Sequence, residues 1–167
     1  MKNTGIYPGT FDPITFGHVD VIKKALNIVD KLVVAVSNDN NKDYFFDIEE
    51  RVGIIKNTLF KDIKVNKQKI IVVPFRDLTV EICKKYKTFI IFRGLRAVSD
   101  FEYEFQMVGM NRSLDNSIET VFLMAEAKHQ AIASKLVKEI ARLNGDISKF
   151  VTPHVAKRLL NKLKVSN

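Results

Sequence analysis

The segment Tyr7-Pro8-Gly9-Thr10-Phe11-Asp12-Pro13-Ile14-Thr15-Phe16-Gly17-His18 gathers groups that can handle a phosphate. It joins a short apolar run, Gly5-Ile6-Tyr7, to a stretch of helical period. Thr10 supplies a hydroxyl, and His18 falls in the first turn of that helix, where unpaired N–H groups and the helix dipole favour an anion. Gly9 and Gly17 remove side chains at points where backbone would approach a ligand. The pattern differs from the G-x-G-x-x-G and Walker A loops, neither of which occurs in the chain. Alone, the prolines and glycines would build a tight turn, and His18 would cap a surface helix. Thr10 and His18 together, after a buried first strand, favour a site.

The elements that must position this loop are read from hydrophobic patterning. Five short apolar runs, Gly5-Ile6-Tyr7, Leu32 to Val36, Ile70 to Val73, Phe89 to Phe92 and Thr120 to Met124, are continuous rather than alternating. Strands buried on both faces of a parallel sheet have that character. Between them lie stretches of helical period. One carries Ile22, Ala25, Leu26 and Val29; another carries Ile48, Val52, Ile55 and Leu59 behind an Asp47–Glu50 capping box. Asp77 is placed to cap a third helix. Phe101, Phe105 and Val108 would form the buried stripe of a fourth. A fifth, with Leu136, Val137, Ile140 and Ala141, should stop at Asn144-Gly145. Thr152-Pro153 opens a last helix over about 153–164. Strand and helix alternate without a linker, which predicts one α/β domain over 1–167, doubly wound and Rossmann-like, with a five-stranded parallel sheet. Ligands in such folds bind beyond the carboxyl ends of the strands.

Composition narrows the classes. The 167 residues are 46% hydrophobic and 28% charged, as in soluble globular chains. A single cysteine, Cys83, excludes an internal disulfide framework and a multi-cysteine metal site, and its apolar neighbours mark it as a core residue. No run approaches a membrane span, and Met1-Lys2 lead into Ile6-Tyr7 without signal-peptide architecture, so the expected compartment is the cytoplasm, with no membrane partner. The net charge of +8 attracts anions without choosing among nucleic acid, acidic surfaces and polyphosphate metabolites. No basic run marks a nucleic-acid tail, and phenylalanines such as Phe89, Phe92, Phe105 and Phe122 occupy apolar periodic positions, so no nucleic-acid partner is expected.

The Gly9-Thr10-Phe11-Asp12 and Phe16-Gly17-His18 elements resemble the nucleotidyltransferase superfamily with the (T/H)-x-G-H motif. Within it the chain looks like the bacterial phosphopantetheine adenylyltransferases over almost its whole length. The block Arg93-Gly94-Leu95-Arg96-Ala97-Val98-Ser99-Asp100-Phe101-Glu102-Tyr103-Glu104 separates that family from cytidylyltransferases and pyridine mononucleotide adenylyltransferases. The block Ile132-Ala133-Ser134-Lys135-Leu136-Val137-Lys138-Glu139 resembles the family's Ile-Ser-Ser-x-x-Val-(Lys/Arg)-Glu signature. Two positions depart from the pattern: Phe16 stands where the family commonly has Asn, and Ala133 replaces the first serine.

The resemblance implies transfer of AMP from ATP to 4′-phosphopantetheine, giving dephospho-coenzyme A and pyrophosphate by in-line displacement without a covalent intermediate. A phosphate acceptor is already anionic at pH 7, its second pKa being about 6. A general base is then dispensable, and the barrier is the approach of one anion to another, which positioned donors lower. By resemblance the catalytic groups are His18, Thr10, Lys42 and Arg93. His18 would donate to the α-phosphate, and Thr10 would align the two phosphates. Lys42, in the polar Asn38–Asp43 loop, and Arg93, immediately after the fourth strand, would bind the acceptor phosphate. ATP would also contact Phe11, Gly94, Leu95, Arg96 and Glu104, and be closed over by His129, Gln130, Ala131, Ile132, Ala133, Ser134 and Lys135. Phe75, Asp77, Leu78 and Thr79 would receive the pantetheine arm. Mg²⁺ is expected on the polyphosphate rather than in a protein cage, and a homohexamer and feedback binding of coenzyme A are implied. Other readings of the residues stand beside these: Lys42 as a solvated loop residue, and Arg93 and Arg96 as structural partners of Asp100, Glu102 or Glu104. An acceptor such as a pyridine mononucleotide or glycerol phosphate, a basic nucleic-acid-binding module and an inactive homologue are the rival functions.

Overall fold

Strands form where the continuous apolar runs lie. A computed structural model describes residues 3–96 and 98–165, so Met1, Lys2 and Ala97 of the second signature lie outside the described residues. The strands are β1 (Thr4–Gly9), β2 (Lys31–Ser37), β3 (Ile70–Phe75), β4 (Ile90–Leu95) and β5 (Glu119–Met124), all parallel in the order β3-β2-β1-β4-β5. The helices are α1 (Phe16–Ala25), α2 (Ile48–Asn57), α3 (Thr79–Lys85), α4 (Val98–Leu114), α5 (Ser134–Arg142) and α6 (Pro153–Val165). This is the expected α/β fold.

Alternate residues of each strand feed separate layers, because successive side chains leave a strand on opposite faces. Leu32, Val34 and Val36 of β2 join the larger core with Ile22, Val137, Val155 and Leu159. Val33 and Ala35 join a smaller core with Val80, Ile82 and Cys83. Burial pushes the Cys83 thiol up to about 11, leaving it inert at neutral pH.

Local signals placed two helix ends. Glu50 N–H donates to Asp47 Oδ1 (2.7 Å) and Asp47 N–H to Glu50 Oε2 (3.1 Å), closing the capping box of α2. After α5, Asn144 takes a positive φ of 58° and Gly145 N–H returns to Ile140 O at 2.9 Å.

Four expectations are corrected. β4 continues through Arg93, Gly94 and Leu95, which pair with Phe122, Leu123 and Met124; Arg93 therefore lies within the strand. Asp77 is exposed, and Leu78 holds the N-cap position of α3 without a side-chain bond. Thr152 precedes α6 with its buried Oγ1 unpartnered, so its hydroxyl caps nothing. Of the expected inner stripe of α4, Phe101 (43% exposed) and Phe105 (63%) face outward while Val108 is half-buried; Phe89 is exposed as well. Apolar residues surround α4 on several sides, so periodicity alone could not choose its inner face. Phe101 instead packs its ring 5.8 Å from those of Phe105 and Phe122.

Candidate active site

The chain runs outward from β1 to β3, then returns to lay β4 against the other side of β1. The carboxyl ends of β1 and β4 therefore flank the point where strand order reverses, and a crevice opens there. Pro8-Gly9-Thr10 and Arg93-Gly94-Leu95 form its walls. A cavity of about 680 Å³ holds Thr10, His18, Lys42, Arg93, Arg96 and Lys135 together. A second, of about 230 Å³, passes under α4 and is lined by Phe75, Thr79, Met107, Asn111 and Thr120. Thr10, Lys42, Arg93 and Glu104 line both, so the cavities meet at those groups. Lys42, Arg93, Arg96, Lys135 and Lys138 outnumber Asp12, Asp43 and Glu104 around the larger cavity, which suits it to anions.

His18 is the third residue of α1 and half-buried. Its Nδ1 accepts from the Thr15 backbone N–H at 3.1 Å and lies 3.0 Å from Thr15 Oγ1. Nδ1 is thus the acceptor, and in the neutral ring the proton resides on Nε2. Burial, with the positive charge of Arg96, pushes the His18 pKa from 6.5 down to about 4. A neutral Nε2–H donor results. Two consequences can be measured in the free protein. The His18 ring should titrate by NMR near 4 rather than 6.5, with the Nε2–H tautomer populated at pH 7. As pH falls from 6.5 toward 4, the unfolded chain takes up a proton that the folded chain refuses, so His18 should contribute a loss of stability in that window. A midpoint near 6.5 would contradict both.

Arg93 spends its guanidinium on structure as well as on the cavity. Its Nε donates to Glu104 Oε2 at 2.6 Å, Nη2 makes a short contact with Oε1, and Nη1 donates to Pro8 O at 2.9 Å. Burial opposes the charge on Arg93, but the bonds and charge of Glu104 prevail and raise its pKa. Arginine has five donors, so two remain for a ligand. Arg96 pairs with Asp100, Nε to Oδ2 at 3.0 Å. The structural pairings read from the sequence as alternatives are thus formed, while both arginines still line the larger cavity. Lys42 is exposed at the mouth of both cavities.

The stretch expected to close over a nucleotide divides in two. Ile132, Ala133, Ser134 and Lys135 line the cavity; His129, Gln130 and Ala131 are not among its lining residues. His129 Nδ1 instead meets Asp20 Oδ2 at 2.5 Å, and Phe16 stacks on its ring at 5.4 Å. Phe16 therefore packs on His129 and is not among the residues that line the larger cavity. Ala133 is the N-cap of α5 and makes no side-chain cap bond, which puts uncapped helical N–H groups at the cavity wall. Asp77 and Leu78 are exposed and absent from the lining of both cavities, whereas Phe75 and Thr79 line the smaller one. The two loop glycines answer to packing: a Cβ on Gly9 would lie 2.8 Å from the Phe11 ring, and one on Gly17 would lie 3.2 Å from His129 O.

Sequence reasoning missed three groups. Asp12 accepts from the Phe45 and Phe46 N–H groups at 2.8 and 2.9 Å and from Lys138 Nζ at 2.8 Å. Met107, Val108 and Asn111 of α4 and Thr120 of β5 reach the smaller cavity, which no local pattern foretold. Arg51 is wholly buried in the first turn and a half of α2. Its charge amid an apolar helical period was the one signal available.

The crevice, its donors and its two joined cavities can be set beside known proteins. The Cytidylyltransferase-like family model matches residues 6–140. The phosphopantetheine adenylyltransferase of Pelagibacter ubique (strain HTCC1062) is 59% identical over 97% of this chain and 99% of its own. That of Ruegeria sp. (strain TM1040) is 58% identical over 95% and 96%. The chain belongs to the phosphopantetheine adenylyltransferase family. Its fold also matches the Plasmodium falciparum nicotinic acid mononucleotide adenylyltransferase complexed with NaAD, at a TM-score of 0.68 and 19% identity over 100% of this chain and 97% of that one. At that identity the likeness concerns the fold alone. Residues of the family's second and third signatures, from β4 and from the start of α5, both line the larger cavity.

Proposed function

We propose that the chain transfers AMP from ATP to 4′-phosphopantetheine, forming dephospho-coenzyme A and pyrophosphate. The observation that carries this reading is the meeting of the two cavities at Thr10, Lys42 and Arg93. ATP occupies the larger cavity, and the pantetheine arm lies in the smaller one beside Phe75, Thr79 and Asn111. The acceptor phosphate sits at the junction between Lys42 and the remaining donors of Arg93. One of its oxygens attacks the α-phosphorus in line, the bond to the β-phosphate oxygen breaks, and pyrophosphate leaves. Nε2–H of His18 donates to the α-phosphate oxygens, where negative charge accumulates. Thr10 aligns the two phosphates. Arg96, Lys135 and the uncapped N-terminus of α5 receive the β- and γ-phosphates.

Mg²⁺ comes with ATP and neutralises polyphosphate charge when bound. The acids nearest the chemistry have other partners, Glu104 with Arg93 and Asp12 with Lys138, and no three ligating side chains converge among the described residues. The fit is therefore to a nucleotide-borne ion. Purified protein given ATP, Mg²⁺ and each candidate acceptor should release pyrophosphate with 4′-phosphopantetheine and not with nicotinate mononucleotide or glycerol phosphate. Excess chelator should abolish turnover. Reaction only with nicotinate mononucleotide would overturn the acceptor assignment.

A homohexamer fits the outward apolar side of α4, where Tyr103, Phe105, Met110 and Leu114 are exposed. Light scattering should give six times the 19.1 kDa chain mass. Coenzyme A, which contains the product, is a competing ligand for the same cavities. A cytoplasmic location agrees with the finding that no described helix is long and apolar enough to cross a membrane.

A further inference from the structure

Arg51 has no exposed surface, and among the described residues no carboxylate lies within ion-pair distance of it. Its guanidinium is held by backbone instead. Nε donates to Phe46 O at 3.1 Å, and Nη1 donates to Thr10 O at 2.9 Å and Ser37 O at 2.7 Å. The Tyr44 ring covers it at 3.9 Å. The three carbonyls come from three separate segments. Ser37 ends β2, Phe46 lies just before α2, and the loop between them carries Lys42. Thr10 belongs to the loop after β1. One side chain thus fastens both stems of the Lys42 loop to the backbone of Thr10.

A buried arginine is a costly way to fill space, since apolar residues of similar volume are often neutral or more stable. A lysine could not replace it, because a single ammonium lacks the planar fork that reaches diverging acceptors. We propose that Arg51 is a positioning residue that fixes Thr10 relative to Lys42 across the junction of the two cavities. The groups that bind ATP on the far side, His18 and Ile132 to Lys135, receive no bond from it. Arg51 should therefore govern use of the acceptor much more than binding of ATP. This rests on the reading of Thr10 and Lys42 as acceptor-phosphate groups.

The test compares wild-type protein with Arg51→Lys, well below the variant's melting temperature, with ATP and 4′-phosphopantetheine. The expected result is a loss of about 10–100-fold in kcat/KM for the acceptor, as misplacement by ~1 Å produces, with the ATP dissociation constant changed by less than about threefold. Lys42→Ala should cost less in the Arg51→Lys background than in wild type, because the two act as one unit. Equal losses for both substrates, no loss, or strict additivity with Lys42→Ala would overturn the proposal. If Arg51→Lys does not fold, Tyr44→Leu loosens the guanidinium while keeping it, and the same split must appear or the proposal falls. Wild-type protein that releases no pyrophosphate with this acceptor would overturn the underlying reading itself, an outcome separable from a wild type that turns over beside a variant lacking the split.

Discussion

Replacing His18 with alanine should lower kcat by roughly 10²–10³ while leaving ATP affinity within a few-fold of wild type, the scale of one lost transition-state donor, about 2.7–4 kcal/mol. The size follows from preorganisation. The Thr15 N–H bond to Nδ1 fixes the tautomer before any ligand arrives, and burial beside Arg96 keeps the ring neutral, with a pKa of about 4. No proton or ring rotation is then needed as charge builds on the α-phosphate. His18→Gln keeps an N–H donor but not the Thr15 clamp, so its rate should fall between alanine and wild type. Single-turnover measurement at saturating ATP separates this loss from binding. A rate for the alanine variant equal to wild type would remove His18 from the chemistry. The fold should survive, since the side chain is only half-buried.

Arg93→Met should have the largest combined effect, on stability and on acceptor turnover at once. Glu104 is 8% exposed, and its carboxylate would be left without the guanidinium that holds both oxygens. Breaking such a pair from one side costs about 3–5 kcal/mol. At about 2–4 °C per kcal/mol for a chain of this length, the melting temperature should fall by roughly 10 °C. The Pro8 carbonyl would also lose its donor, loosening the end of β1 from β4. For activity, kcat/KM with the acceptor should drop by at least about 10², because a phosphate loses two directed donors at the junction. The double variant Arg93→Met with Glu104→Leu separates the two effects. Removing both charges should restore most of the stability, as replacing a buried pair by apolar residues often does, and none of the activity. Recovery of acceptor turnover in the double variant would show that Arg93 serves only to satisfy Glu104.

The contrast between these residues shows how far the sequence reaches. Thr10 and His18 were legible because their placement is local: a strand, a loop of fixed composition and a helix start lie within twelve residues. The capping box at Asp47 and the stop at Asn144-Gly145 were legible for the same reason. Lys42, Arg93 and Arg96 could be placed near strand ends, and the acids for the two arginines narrowed to Asp100, Glu102 or Glu104, but not which acid pairs with which arginine. Asp77 and Leu78 were assigned by their place after β3, and the structure turns both to solvent.

Continuous apolar runs alternating with helical periods determined by themselves a parallel α/β sheet, and the Thr10–His18 loop marked the strand end at which the larger cavity opens. Tertiary structure alone decided that β4 lies beside β1, which brings Arg93 to Pro8 across 85 residues, and that α5 brings Lys138 to Asp12 across 126. It also decided that the aromatic residues of α4 face outward and that Arg51 ties both stems of the β2–α2 loop to the loop after β1. Periodicity records which side chains avoid water, a property of each residue with its near neighbours. Which distant group satisfies a buried charge depends on the order of strands, and that order is set by the packing of the whole sheet.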